Sequence, residues 1–326
     1  MSSVLGIGNA LVDVILRVDN EDILREAGLP KGSMTMIDAE KAESILALAS
    51  GLSYQRASGG AVANTINGLA SLGVTTGYIG TIGKDDTGEI FSNDMAGRKV
   101  KPHLFAGNTP TGRAITLVTG DGERTFGTYL GAAVELNAGI LDPSVFSQYQ
   151  WLMAEGYLIY NRELISRALE IAREKKLKTA MDMASYNLVE DNREFIIGLL
   201  NDYVDVVFAN DLEAKALTGI EDPAAALAEM GKMCETAIVK TGEHGSLILS
   251  KGEQVQVASI KANCIDTTGA GDLYAAGFLY GLINGMSLQA CGRIGSILGG
   301  NVVEVIGAKM DERRWNKILE TIAEVH

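Results

Sequence analysis

Apolar and polar positions alternate regularly through the second half of the chain. After about residue 135, short apolar runs of strand length take turns with longer amphipathic stretches of helical period. The predicted strands lie near 151–155, 178–183, 204–208, 236–240 and 246–249. The predicted helices lie near 162–175, 191–201, 211–217 and 223–232. Because such a rhythm places helices on both faces of a parallel sheet, the pattern predicts an α/β fold.

The first half of the chain breaks this rhythm. Residues 4–8 have the pattern of a buried strand, and helices are predicted at 39–50 and 61–72. Two β-rich stretches, at about 11–38 and 108–130, do not alternate with helices. We predict that they leave the main domain as two excursions and form a small separate sheet, a lid. Since no linker composition divides the chain, residues 1–326 are predicted to form one domain with this lid.

One stretch concentrates candidate chemistry: Asp266-Thr267-Thr268-Gly269-Ala270-Gly271-Asp272. A strand pattern at 255–260 precedes it, and a helical pattern at 273–282 follows it and ends at Asn284-Gly285. Small residues therefore lie at a helix N-terminus, where free N–H groups and the helix dipole favour an anion. Asp272 lies in the same first turn, so an anion site and a base are combined. The alternative is a glycine-rich turn capped by an aspartate.

Two groups nearer the N-terminus suit the binding of sugar hydroxyls. Gly59-Gly60 opens the helix predicted at 61–72, and Asn64 lies in its first turns. Asn9 and Asp13 bracket the end of the first strand, and Asp13 interrupts an apolar run. A buried carboxylate needs a partner, and a sugar diol is one. The alternatives are a tight turn with a capping role for the glycine element and an exposed strand face for Asp13.

Polar residues also follow two later strands. Asn210 and Glu213 come after the strand near 204–208, and Thr241 and Gly242 come after the strand near 236–240. In open α/β sheets, ligands bind in the crevice outside the carboxyl ends of the strands. Asn210 and Glu213 are suited to organise a hydrated Mg²⁺, with helix capping as the alternative. Thr241 and Gly242 offer a hydroxyl and a close backbone to nucleotide phosphates.

Composition excludes several other functions. The chain has 28 basic and 41 acidic residues, a net charge of −13, which argues against nucleic-acid binding. No apolar run approaches the roughly 18 residues of a membrane span, and no signal-peptide pattern is expected at the N-terminus. Three cysteines without metal-ligand spacing fit a reducing cytoplasm. Neither a Walker sequence nor a protein-kinase catalytic loop is present.

Taken together and in order, the motifs resemble a known family. The Gly59-Gly60-x-x-x-Asn64 element and the 266–272 stretch are similar to the two signatures of the ribokinase-like (PfkB) carbohydrate kinases. The likeness spans essentially the whole chain and is greatest to bacterial adenosine kinases. It extends to Gly73, Gly83, Asn210, Glu213, Thr241-Gly242, Gly307-Ala308, and the segments 9–13, 121–124, 128–132 and 155–157. The resemblance implies a three-layer α/β/α fold with a mostly parallel central sheet and a small β-sheet lid.

The resemblance also implies a role for each motif. Asp272 would accept the proton of a primary hydroxyl as it attacks the γ-phosphate of ATP. The backbone N–H groups of Gly269, Ala270 and Gly271 would form the anion hole for the transferring group. The ribose hydroxyls would be held by Asn9, Asp13, Gly59, Gly60 and Asn64. Arg124, carried on the lid, would approach the phosphates. Tyr157 and Tyr186 would lie against the purine of the acceptor, with a core or surface tyrosine as the alternative for each.

The contacts to ATP follow from the same resemblance. They would come from Asn210, Glu213, Thr241, Gly242 and Asn301. Asn301 would lie near the adenine of ATP, where Glu304 departs from the family pattern. Glu213 would position Mg²⁺ through water, and a monovalent cation such as K⁺ would bind near Asp266.

The expected function is ATP-dependent phosphorylation of the 5′-hydroxyl of a nucleoside, with adenosine favoured. A sugar kinase of the same family, acting on ribose, fructose or a keto-sugar acid, is the nearest alternative. A nucleotide-binding protein without catalysis is the alternative from another class. The expected partners are ATP and a small-molecule acceptor, with no nucleic acid and no membrane. Both a monomer and a homodimer remain open, because the lid is suited to act as a cover or as a dimer contact.

Overall fold

Two sheets and the helices around them make up the computed structural model, which describes residues 3–18, 22–52, 54–120 and 123–325. The strands are β1 (Ser3–Ile7), β2 (Leu11–Arg17), β3 (Met34–Met36), β4 (Tyr54–Gly59), β5 (Thr75–Ile82), β6 (Val100–Ala106), β7 (Thr111–Val118), β8 (Arg124–Gly131), β9 (Trp151–Glu155), β10 (Lys178–Asp182), β11 (Val206–Asn210), β12 (Thr236–Lys240), β13 (Ser246–Ser250) and β14 (Glu253–Val257). The helices are α1 (Asp22–Glu26), α2 (Ala39–Leu48), α3 (Ala61–Ser71), α4 (Asp86–Gly97), α5 (Pro143–Phe146), α6 (Arg162–Glu174), α7 (Tyr186–Tyr203), α8 (Asp211–Thr218), α9 (Pro223–Met230), α10 (Ala270–Ile283), α11 (Leu288–Val302) and α12 (Glu312–Ala323).

The large sheet has nine strands in the order β14-β13-β12-β11-β10-β9-β1-β5-β6. All neighbouring pairs are parallel except β12–β13 and β13–β14, which are antiparallel. The central strands are almost entirely buried because helices cover both faces. The prediction of a three-layer α/β fold with a mostly parallel sheet is therefore confirmed.

Successive residues of each central strand point to opposite faces, and each face has its own core. Val4, Met153 and Phe208 belong to one hydrophobic cluster, together with residues of α3, α10 and α11. Their neighbours Leu5, Leu152 and Val207 belong to the other, together with residues of α6 to α9. The period of two thus divides the apolar residues of each central strand between the two cores. None of the described helices is both long enough and apolar enough to cross a bilayer.

The small sheet has five strands in the order β3-β8-β7-β2-β4. Four of them fall within the two stretches from which we predict the lid. The fifth, β4, was not predicted, because Tyr54, Gln55 and Arg56 are exposed and no apolar alternation marks this edge strand. It forms by antiparallel pairing with β2. β4 ends at Gly59 and so delivers the double glycine directly to the N-terminus of α3.

One further strand and two element boundaries differ from the sequence-based expectations. Strand β6 adds an edge to the large sheet that was not predicted. Strand β14 ends at Val257 instead of residue 260, so the segment before α10 is irregular. Helix α7 begins at Tyr186 instead of about residue 191, because Ser185 caps it by accepting a hydrogen bond from the Leu188 N–H.

Candidate active site

Neighbouring parallel strands of the large sheet end in polar residues along one edge. The last residues of β9, β10, β11 and β12 are Glu155, Asp182, Asn210 and Lys240. The register pairs Asp182 with Glu155 and Asn210 with Lys240 across adjacent strands. We call this row, with Asn9 after β1, the carboxyl edge. It brings together residues that are up to 231 positions apart in the sequence, Asn9 and Lys240.

The loop of residues 266–271, called here the anion-hole loop, leads into α10 at this edge. Gly269 has φ 77°, in the left-handed region, and a Cβ there would lie 2.6 Å from the Cβ of Ala308. Only glycine fits both constraints. No side chain caps the N-terminus of α10. The Ala270 N–H donates to the Thr267 carbonyl at 3.1 Å. The N–H of Gly271 and the positive end of the helix dipole suit an anion, and anion binding here stays a prediction.

Asp272 lies in the first turn of α10 and is held by α3. The Asn64 Nδ2 donates to the Asp272 Oδ2 at 3.1 Å, and the Thr65 hydroxyl donates to the Asp272 carbonyl oxygen at 3.1 Å. These bonds join the two motifs that we singled out from the sequence. Among the described residues, no partner bonds to the buried Asn64 Oδ1. That oxygen is suited to accept a hydrogen bond from a substrate hydroxyl.

The surroundings of Asp272 disfavour the charged form of its carboxyl group. Burial, reinforced by the nearby Asp182 carboxylate, raises its pKa from 3.8 to about 8. The hydrogen bond from Asn64 and the charge of Lys240 act in the opposite direction. A carboxyl group of this kind is a stronger base than an exposed aspartate once it is ionised.

The double glycine places the N-terminus of α3 beside Asn9. Gly60 has φ 99°, and the Asn9 carbonyl oxygen lies so close that no Cβ has room there. The Asn9 Nδ2 donates to the Glu155 Oε1 at 2.6 Å, and the Val62 N–H lies 3.4 Å from the Glu155 Oε2. Burial raises the pKa of Glu155 from 4.5 to about 7, although these bonds oppose the shift. The Asn9 amide and the Glu155 carboxylate therefore form a hydrogen-bonded pair at the carboxyl edge.

Asp13 occupies the lid strand β2 next to β4. Its carboxylate packs against Gly59, where no Cβ would fit. Burial raises the pKa of Asp13 from 3.8 to about 6, and the ammonium of Lys309 opposes that shift. Lys309 in turn donates to the Ser58 hydroxyl at 2.9 Å and lies 3.6 Å from the Asp94 carboxylate. A cation from the C-terminal part of the chain thus supports the acid that we predict to bind sugar hydroxyls.

Arg124 connects the lid with the anion-hole loop. Its guanidinium forms an ion pair with Asp266 and donates to the Thr268 hydroxyl at 2.8 Å. Asp266 also accepts from the Thr268 N–H at 2.6 Å and from the Gly307 N–H at 2.8 Å. Arg124 therefore lies beside the predicted phosphate site, and its own contact with phosphate stays a prediction.

The residues expected to contact ATP each form local hydrogen bonds. Asn210 caps α8, since its Oδ1 accepts from the Glu213 N–H at 2.8 Å and the Glu213 Oε2 accepts from the Asn210 N–H at 2.7 Å. The Thr241 hydroxyl donates to the Gly245 carbonyl at 3.1 Å, and Gly242 has φ 59° in the same turn. Asn301 lies in the last turn of α11 and donates to the Ile297 carbonyl. Their contacts with ATP stay predictions.

Tyr157 and Tyr186 lie just beyond β9 and β10, respectively. The Tyr157 hydroxyl bonds to the side chain of Ser185, and burial raises its pKa. Tyr186 is the first residue of α7 and is 44% exposed. The Tyr157 ring is thus held by a hydrogen bond, whereas the Tyr186 ring is accessible to solvent. A contact of either ring with a purine stays a prediction.

The residues fit a magnesium ion held mainly by water and phosphate. Among the described residues, no group of three or more His, Cys, Asp or Glu side chains could hold a metal ion. Mg²⁺ in phosphoryl-transfer sites keeps several waters and needs few protein ligands. Glu213 is buried at the carboxyl edge, and its acceptor capacity is not exhausted by its bonds to Asn210. Both oxygens of Asp266 bind protein donors, and a K⁺ site near this residue stays a prediction.

Sequence reasoning missed three charged residues of the site: Glu155, Asp182 and Lys240. Each is the last residue of a strand, and Asn210 was singled out because it follows a predicted strand. That signal applied to every parallel strand would have found them. Their mutual contacts, in contrast, follow only from the strand order.

Comparison with known proteins agrees with this geometry. The sequence pattern described as "pfkB family carbohydrate kinase" matches residues 30–313. The chain belongs to this family. It is accordingly an ATP-dependent phosphotransferase that acts on a hydroxyl acceptor.

Three relatives show how this pfkB-family chain compares over its length. The structure of adenosine kinase from Sinorhizobium meliloti shares 37% identity and superposes with a TM-score of 0.87, over 98% of this chain and 99% of that one. A probable sugar kinase from Rhizobium etli shares 34% identity with a TM-score of 0.88, over 98% of each chain. An uncharacterized sugar kinase from Archaeoglobus fulgidus is 28% identical, over 74% of this chain and 96% of its own length.

Proposed function

We propose that this kinase transfers the γ-phosphate of ATP to the 5′-hydroxyl of a nucleoside, with adenosine as the favoured acceptor. The observation that carries the proposal is the position of Asp272. Its carboxylate lies at the uncapped N-terminus of α10 and is hydrogen-bonded to Asn64, whose other amide atom has no described partner. A base, an anion site and a free acceptor for a second hydroxyl meet at one place.

The reaction follows from this arrangement. Asp272 accepts the proton of the 5′-hydroxyl while the hydroxyl oxygen forms a bond to the γ-phosphorus. The bond from that phosphorus to the β,γ-bridging oxygen breaks, and ADP leaves. Backbone N–H groups of Gly269, Ala270 and Gly271 stabilise the charge on the transferring group. Bound Mg²⁺ would neutralise phosphate charge, with Glu213 orienting its water ligands.

Two features support a nucleoside over a free sugar. Tyr157 and Tyr186 lie on the carboxyl-edge side of β9 and β10, where an aromatic face suits a purine. The chain is also similar over nearly its full length to the Sinorhizobium adenosine kinase. The similarity to a probable sugar kinase keeps ribose, fructose and keto-sugar acids as the alternative acceptors. Asn9, Asp13 and Asn64 would serve either class of acceptor.

A coupled assay of ADP release with adenosine, inosine, ribose, fructose and a keto-sugar acid tests the proposal. We expect the highest kcat/KM with adenosine. Asp272→Asn measured with the same acceptors controls for ATP hydrolysis by a contaminant. A kcat/KM for any of the sugars equal to or above that for the nucleosides would overturn the nucleoside assignment. Failure of all five compounds to stimulate ATP turnover would also overturn the nucleoside assignment and would point to a different hydroxyl acceptor.

A further inference from the structure

A buried ion pair lies on the carboxyl edge directly beneath the anion-hole loop. The Lys240 Nζ donates to the Asp182 Oδ2 at 2.8 Å, and the two side chains are only 15% and 12% exposed. The other oxygen of Asp182 accepts from the Ala184 N–H at 3.0 Å, which fixes the carboxylate. Removing two charges from water is costly, and replacing such a pair by apolar residues often costs a protein no stability. Stability alone therefore does not explain this buried ion pair.

The ammonium of Lys240 reaches the helix N-terminus itself. A Cβ placed on Gly271 would lie 3.0 Å from the Lys240 Nζ. Lys240 interacts electrostatically with the carboxylates of Asp182, Glu213 and Asp272. Although burial disfavours its charge, these carboxylates raise the pKa of Lys240 above its ordinary value. One cation is thus shared by three acids at the place where the phosphates of ATP are expected.

We propose that Lys240 is a positioning residue of the phosphoryl transfer, which compensates Asp182 beneath the anion hole and favours the ionised form of Asp272 that acts as the base. This inference rests on the proposed role of Asp272. Asp182 would by itself repel both the ionised base and the incoming phosphates. With Lys240 bound to it, the pair is close to neutral, so the helix N-terminus remains attractive to an anion.

The groups that face Asp272 set the direction of the expected pH effects. They are Asp182 on β10, Glu155 on β9, Lys240 on β12 and the uncharged Asn64 on α3. Glu213 on α8 acts on Lys240 and Asp182. Because the base must be ionised, kcat/KM is expected to rise with pH through the pKa of Asp272. Loss of the Lys240 cation raises that pKa, and loss of the Asp182 charge lowers it.

The test is the pH dependence of kcat/KM for the acceptor, measured for Lys240→Met, Asp182→Asn and the double variant. The acid limb is the part of the profile in which kcat/KM rises with pH. We expect its midpoint to lie about 1–3 pH units higher in Lys240→Met and lower by a similar amount in Asp182→Asn. The double variant should return towards the wild-type limb, and Lys240→Arg should restore it in part. A residue that merely joined β10 to β12 would lower activity at every pH without these opposite shifts.

Lys178→Met is the matched control. Lys178 is the first residue of β10 and forms an ion pair with Asp205 at 2.6 Å, at the opposite end of the strand from Asp182. Its loss should leave the acid limb unchanged. Circular dichroism shows whether Lys240→Met folds. If it does not fold, the pH profiles of Asp182→Asn and Lys240→Arg test the proposal. An acid limb that stays in place in Asp182→Asn overturns the proposal.

The same measurements separate this proposal from the function on which it rests. Suppose that the wild-type enzyme is active, that Asp272→Asn is inactive, and that the acid limb does not move in the Lys240 or Asp182 variants. This result would overturn the role proposed for Lys240 and leave Asp272 as the base. A fully active Asp272→Asn would remove both the base and the residue proposed to act through it. Isothermal titration with ADP gives an independent readout: Lys240→Met should bind ADP more weakly, and Asp182→Asn more tightly.

Discussion

The carboxyl edge of the large sheet and the lid sheet differ in how far they are covered by the rest of the protein. At the carboxyl edge, Asn9 bonds to Glu155, and Lys240 bonds to Asp182, within a sheet covered on both faces. The lid has edge strands that face solvent. Met34 and Met36 in β3 are 58% and 57% exposed, and Tyr54 in β4 is 50% exposed.

A shared apolar core and several polar contacts join the lid sheet to the main domain. Arg124 of the lid binds Asp266 and Thr268, and Lys309 binds Ser58 of the lid strand β4. Separation of the lid from the main domain would break these contacts, whereas the carboxyl edge would keep its own. We infer that the edge supplies preorganised electrostatics for the transferring phosphate and that the lid chiefly binds the acceptor. Substitutions in the two regions should therefore change different kinetic constants.

The largest expected effect comes from the base at the carboxyl edge. Asp272→Asn should lower kcat by about 10²–10⁴-fold, because the amide cannot accept the hydroxyl proton. The KM for the acceptor should change little, since the shape of the side chain is conserved. Steady-state kinetics with saturating ATP measure both constants. Asp191→Asn, at an exposed position on α7, is the control, and retention of most activity in Asp272→Asn would exclude this residue as the base.

A smaller effect, of a different kind, is expected in the lid. Asp13→Asn should raise the KM for the acceptor by about 10-fold, because one hydrogen bond from a hydroxyl to a charged group is worth ~1.5 kcal/mol. The value of kcat should fall by much less, since Asp13 does not touch the transferring phosphate in the proposed site. Acceptor titrations of the two variants side by side measure the contrast. A loss confined to kcat in Asp13→Asn would contradict the division between lid and edge.

The smallest expected effect concerns stability. Folding raises the pKa of Asp272 from 3.8 to about 8, so the folded state holds the proton more tightly than the unfolded state. The carboxyl therefore costs no stability below about pH 4, costs progressively more as the pH rises to about 8, and has a constant cost above that. Asp272→Asn should consequently raise the Tm of the ligand-free protein at pH 8.5 by about 1–2 °C, or ~1 kcal/mol.

Thermal unfolding of wild type and Asp272→Asn at several pH values measures this effect. The difference in Tm should vanish near pH 4 and level off above pH 8. A variant that is less stable than wild type at pH 8.5 would show that Asp272 is a structural residue rather than a strained base. The same melts on Asp13→Asn, where burial raises the pKa only to about 6, should show a smaller gain that levels off at lower pH.

The elements whose signal is local could be predicted from the amino-acid sequence alone. Apolar strand runs and amphipathic helices predicted the large sheet, because burial on both faces requires them. The glycines of the anion-hole loop and of the Gly59-Gly60 element were recognisable because the left-handed φ of Gly269 and Gly60 admits little else. Asp272 was recognisable because it lies in the first turn of the same helix. Its bond to Asn64 is consistent with that prediction.

Which charged side chains come into contact depends on how the strands are arranged in the folded protein. Glu155, Asp182 and Lys240 are each ordinary strand ends in the sequence, and they become a coupled group because β9 to β12 are neighbours in register. Strand β4 and the contact between Lys309 and Ser58 likewise depend on pairing across 38 to 48 and 251 positions, respectively. Desolvation and charge coupling act through space, so the raised pKa of Asp272 and its control by Lys240 have no local signature in the chain.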